Sequence, residues 1–131
     1  MTIYFIFKYK AIKTTSTASP STLKPIYDLK HLNRTILEIM FNHLAEQTTI
    51  NLSNLGINTI HEDTFNGLFK LEAIFLKNNQ LKKVDFNLKD LHKLKYISFE
   101  SNQIVQFEIT AFVGLNNLEL GLLFKLDQKF F

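Results

Sequence analysis

A chain of 131 residues with 46% apolar side chains, 13 Phe and no Trp holds enough apolar content for one folded domain with a continuous core. The formal charge is +3 at pH 7, but residues 1–30 carry Lys8, Lys10, Lys13, Lys24 and Lys30 against Asp28 alone, so the excess sits in the leader and nucleic acid is not an expected partner of the rest. The absence of cysteine excludes disulfides, cysteine-ligated zinc and a thiol nucleophile.

Residues 1–22 read as a disordered leader or linker, closed by Ser19-Pro20-Ser21 and Pro25. The run Ile3 to Phe7 is shorter than the roughly 7–15 apolar residues of a secretory core, and the lysines follow it, so no convincing signal peptide is present. The stretch Thr14 to Thr22 has a transit-peptide-like Ser and Thr content, but the leader has no Arg. In residues 23–46, Leu23, Ile26, Ile36, Phe41 and Leu44 keep a spacing that recurs downstream, while Asp28, His31 and Asn33 break it. Two readings stay open for this segment: a degenerate repeat, or a helical N-terminal cap over about residues 30–46. No stretch reaches the roughly 18 apolar residues of a membrane span.

From residue 47 the chain repeats itself. Leu71, Ile74, Leu76, Asn79, Leu81, Val84, Leu88 and Leu91 recur 23 residues on as Leu94, Ile97, Phe99, Asn102 and Ile104, then as Phe107, Phe112 and Leu115 at offsets of 23 and 24, and a further unit opens at Leu118. One unit back, Ile50, Leu52, Ile57, Ile60, Phe65 and Leu68 fit the frame, with Gln47 and Leu55 in place of its opening Leu and its Asn. After Leu118 the frame meets Gly121 and Leu123, so residues 119–131 read as a truncated repeat. A fixed period of roughly 20–29 residues marks a solenoid in which each unit buries its apolar face on the next. The phrases Ile74-Phe75-Leu76 and Ile97-Ser98-Phe99 alternate as strands do, so stacking predicts one parallel sheet with outward residues in columns. At the bend after each strand a carboxamide can donate and accept at once, which predicts a structural role for Asn79 and Asn102. Leu55 cannot fill that role, so the ladder is expected to be interrupted at the first repeat unless the neighbouring Asn54 substitutes in a shifted register.

The pattern LxxLxLxxNxL, with the FxxL phrases Phe65 to Leu68 and Phe112 to Leu115, resembles the leucine-rich repeat family, in its typical animal extracellular form found in Toll-like and insect receptors. The resemblance covers residues 47–118 and implies an α/β solenoid with a short parallel sheet on its concave face, in which Asn79 and Asn102 belong to an asparagine ladder. It implies an extracellular, receptor-like protein, with innate immunity as one setting, that binds a protein or glycoconjugate partner on the concave face. Such relatives close both ends with disulfide-bonded caps, which this chain lacks, so self-association through uncapped ends is expected. The alternative is a fragment or decayed copy of a larger receptor without independent activity.

The outward columns read Thr49, Ala73, Tyr96; Asn51, Phe75, Ser98; Ser53, Lys77, Glu100; and Asn54, Asn78, Ser101. A Phe at an outward position either covers a neighbour or serves as an aromatic anchor. The expected contact residues are therefore Phe75, Lys77, Tyr96, Ser98 and Glu100, with a Lys77 to Glu100 pair across units. Asn33-Arg34-Thr35 and Asn51-Leu52-Ser53 are glycosylation sequons, the second on the same face. His31, His43, His61 and His92 lack metal-ligand spacing, and Glu62-Asp63 reads as a solvated acidic pair. With no phosphate loop and no nucleophile motif, neither a cofactor nor catalysis is expected.

Overall fold

The computed structural model describes residues 28–119; the leader and residues 120–131 of the last partial unit lie outside them. In chain order these residues form β1 (His31–Leu32), α1 (Arg34–Met40), β2 (Thr49–Asn51), β3 (Thr59–Ile60), β4 (Ala73–Phe75), β5 (Lys83–Val84), β6 (Tyr96–Ser98) and β7 (Gln106–Phe107). Short 3-10 turns stand at Leu44–Glu46 and Ile109–Phe112.

The middle of each unit makes one parallel sheet. β2, β4 and β6 lie side by side in the registers Thr49 to Ala73 to Tyr96, Ile50 to Ile74 to Ile97 and Asn51 to Phe75 to Ser98. Ile50, Ile74 and Ile97 are buried in the core, as the period of two requires of every second residue. The same stagger continues in the backbone bonds Glu72 N to Thr48 O, Lys95 N to Glu72 O and Glu119 N to Lys95 O, at 2.7–2.9 Å.

A second layer of strands stands across the core, which the single predicted sheet does not include. β1 pairs with β3 and β5 with β7, both in parallel. The space between the layers is filled by Leu, Ile and a row of rings: Phe65, Phe86, Phe99, Phe107 and Phe112 follow one another at centroid distances of 4.8–6.4 Å. Burial fades along this row, from Phe65 and Phe86 at 0% and 1% exposure to the half-buried pair Phe107 and Phe112. Beside that pair Val105, Ile109 and Val113 are 68–78% exposed.

Each strand of the first sheet leaves through a left-handed residue. Asn54, Asn78 and Ser101 occupy equivalent positions with φ of 61°, 56° and 56°. Asn tolerates this region better than most side chains; Ser101 holds it at a steric cost. Gly67, with φ of 73°, turns the chain after Phe65, and its N–H donates to Asp90 of the next unit at 2.8 Å.

The first described unit keeps a different spacing from the one predicted. Leu32, not Ile36, stands opposite Ile60, a separation of 28 residues where the frame gives 24. The reason is α1: Asn33 caps it by accepting from Ile36 N at 3.0 Å, and a helix advances about 1.5 Å per residue against about 3.3 Å for a strand, so more residues cover the same span. Ile36 and Leu37 turn into the core, and Arg34 donates to Glu38 on the surface at 2.9 Å and to the carbonyl of Asn66. Residues 28–46 thus combine a paired strand with a short helix.

Candidate functional site

The two asparagines of the repeat lie inside, between neighbouring units. Asn79, 6% exposed, donates from Nδ2 to Leu52 O and Leu76 O at 2.8 and 2.9 Å, while its Oδ1 accepts from Leu55 N and Ile57 N at 3.1 and 3.0 Å. Asn102, half-buried, donates to Leu76 O and Phe99 O at 2.8 and 2.9 Å and accepts from Leu81 N at 3.0 Å. Each carboxamide therefore serves its own bend and the bend one unit earlier. This corrects the expectation for Leu55: the bend after β2 is satisfied from Asn79, and Asn54 is no substitute. Asn54 lies at the surface, where its Oδ1 accepts from Asn78 Nδ2 at 2.9 Å.

The outer face of the β2–β4–β6 sheet carries the predicted contact residues. The rings of Phe75 and Tyr96, from adjacent strands, stand 5.1 Å apart at 41° and are both half-buried, so each covers part of the other and leaves the rest in water. Lys77 and Glu100 are 3.4 Å apart just past the strand ends. Ser98 departs from the expectation. It is 6% exposed, and its hydroxyl oxygen is buried without a hydrogen-bond partner. Its Cα partner is Phe75, and a side chain of two heavy atoms beside a phenyl ring stands below the level that a partner could touch. Of the predicted residues, Phe75, Tyr96, Lys77 and Glu100 keep side-chain surface in water on this face.

Two ion pairs that the sequence reading passed over join units in the same sense. Glu72 and Lys95 meet at 2.8 Å, and Glu46 meets Lys70. Opposite charges recurring at offsets of 23 and 24 were the available signal. Hydrogen bonding by Lys95, and then its charge, holds the Glu72 carboxyl below its ordinary value, while the hydrogen bond to Glu72, and then the carboxylate's charge, raises Lys95; Lys70 lowers Glu46 by hydrogen bonding and charge in the same way. A carboxyl lowered in the folded chain stabilises it above the ordinary carboxylate range, and that contribution is lost as pH falls through the lowered value. Both pairs are in water, so the contribution is small. Lys95→Met should raise the Glu72 titration toward the ordinary carboxylate range and leave Glu46 lowered, as read by a carboxyl NMR titration. A Glu72 titration unchanged in the variant would show that Lys95 is not its partner in solution.

Of the sequons, Asn33 Oδ1 is engaged as the α1 cap and Asn51 Oδ1 accepts from Ser53 N at 3.0 Å; both residues are exposed. Asn51 lies beside Phe75 in the register, so a glycan there would stand next to the ring pair. His61, Glu62 and Asp63 bring one ligand atom each within 4.8 Å of one another, all exposed. Their atoms hold a turn: Asp63 N donates to His61 Nδ1 at 3.3 Å and Asn66 Nδ2 to Asp63 Oδ1 at 2.8 Å. Among the described residues no helix is long and apolar enough to cross a membrane.

Comparison with protein families, with curated proteins and with solved structures finds no match for this chain.

Proposed function

We propose that this chain is a non-catalytic binding module of leucine-rich repeat architecture, an α/β solenoid that takes a protein or glycoconjugate partner on the outer face of the β2–β4–β6 sheet. The fold reading is supported by the 23- and 24-residue stagger of that sheet and by the asparagines that bond across units. The observation that carries the function is the half-exposed Phe75 and Tyr96 pair on a strand face, beside the Lys77 and Glu100 pair. An aromatic centre with charged residues around it is the composition of a protein-binding patch, where a few rings supply most of the affinity.

Phe75→Ala combined with Tyr96→Ser should lower affinity for a captured partner by about 2 kcal/mol or more, while the circular dichroism spectrum and the unfolding midpoint stay near those of the parent. Unfolding of the double variant would make the rings part of the core. A folded variant that binds as before would move the binding surface away from this sheet. A partner whose capture is lost after deglycosylation, with its polypeptide intact, would be a glycoconjugate rather than a protein.

A further inference from the structure

Asn66-Gly67 is the one Asn-Gly step in the chain. Where glycine follows asparagine no side chain screens the peptide nitrogen, and that nitrogen can attack the asparagine Cγ. The bond from nitrogen to Cγ forms, the bond from Cγ to Nδ2 breaks, and the proton of the peptide nitrogen leaves with Nδ2 as ammonia. The succinimide so formed takes up one water and opens to aspartate or, with the chain routed through Cβ and Cγ, to isoaspartate. Three segments of the fold meet on this step. Gly67 N donates to Asp90 Oδ2 of the next unit at 2.8 Å, Asn66 N and Nδ2 donate to Asp63 O and Oδ1 at 3.2 and 2.8 Å, and the carbonyl of Asn66 accepts from Arg34 of α1.

These surroundings oppose the reaction at each atom it uses. The attacking species is the peptide nitrogen without its proton, and a carboxylate that accepts from that N–H keeps the proton in place and repels the anion. Attack gathers negative charge on Asn66 Oδ1, which is buried with no hydrogen-bond partner, so the charge would form unsupported. The leaving nitrogen is held by Asp63. Of these contacts, the one to Asp90 reaches forward into the next unit, and it is lost when the two units part. We propose that Asn66-Gly67 is a latent deamidation site gated by the Asp90 carboxylate, silent while the two units are joined and converted where they separate. Conversion runs one way. The new acid meets Asp63 as a like charge in place of a hydrogen bond, and the isoaspartate route adds a carbon to the backbone ahead of the Gly67 amide, so the junction does not close again in its first form.

The test incubates the full chain at neutral pH, folded and in unfolding urea, and follows the peptide that holds Asn66 by mass spectrometry with an isoaspartate assay. The folded chain should convert more slowly than the unfolded one by about tenfold or more, as a reaction that waits on local opening does. Asp90→Ala should convert faster than the folded parent by about tenfold, with an unchanged circular dichroism spectrum and with hydrogen exchange raised at the Gly67 amide but not in the β2–β4–β6 sheet. The parent supplies a second measurement that needs no variant: in urea below the unfolding midpoint, exchange at Gly67 and conversion of Asn66 should rise together. The proposal is overturned by a folded parent that converts as fast as the unfolded chain, by a folded Asp90→Ala variant that converts as slowly as its parent, or by exchange at Gly67 that rises with no gain in conversion. None of these results bears on capture at the Phe75 face.

Discussion

Asn79→Ala should destabilise the fold by about 3 kcal/mol or more. The carboxamide satisfies Leu55 N, Ile57 N, Leu52 O and Leu76 O, and alanine leaves these groups without a partner in a buried bend. Each orphaned buried group costs about 1–3 kcal/mol, discounted where water reaches it, as it does on the side of half-buried Leu55. Asn102→Ala should cost less, about 1–2 kcal/mol, because Asn102 is itself half-buried and has one backbone donor in place of two. Asn116→Ala, at an exposed position outside the frame, sets the baseline. Urea midpoints rank the three. Equal midpoints for Asn79→Ala and Asn116→Ala would refute the role assigned to the carboxamide.

Phe86→Ala should cost about 3–5 kcal/mol, the usual range for deleting a fully buried ring. Phe86 is 1% exposed and touches Phe65 on one side and Phe99 on the other, at 5.6 and 6.4 Å, so its removal opens a cavity in the middle of the ring row. Phe107→Ala, on a half-buried ring nearer the last described unit, should cost about half as much, in proportion to the area withdrawn from water. The comparison is made by denaturant unfolding with both variants at equal concentration. A larger loss from Phe107 than from Phe86 would place the centre of the core toward the last described unit.

Phe86 also shows where the sequence stops being readable. Between Leu71 and Ile97 the frame positions other than Asn79 are apolar and buried, and in the strands this follows from a period of two that any unit of this length repeats. After Val84 the chain leaves regular structure. Between Val84 and Leu88 no periodicity says which ring turns inward, and Phe86 has no counterpart in the frame. Leu32 was hidden for a related reason: α1 takes up residues at a different rise and shifts the register by four, a change that spacing alone does not reveal. On the candidate face, alternation identified Phe75 and Tyr96, but the depth of Ser98 depends on the size of its neighbour rather than on its own position.

The backward reach of the asparagines has a consequence for the order in which the chain can mature on the ribosome. The amides of Leu55 and Ile57 find their acceptor on residue 79, and that of Leu81 finds its acceptor on residue 102, always on a later part of the chain. Neither of these two bends is complete when it is made; each waits for about one more unit to emerge before its backbone is withdrawn from solvent. The nascent protein therefore grows like a wall in which every course is mortared by the one laid on it, with partners only some two dozen residues apart and no long-range search between them. Short separations of this kind favour rapid assembly. They also mean that the newest bend is always the one still open to water.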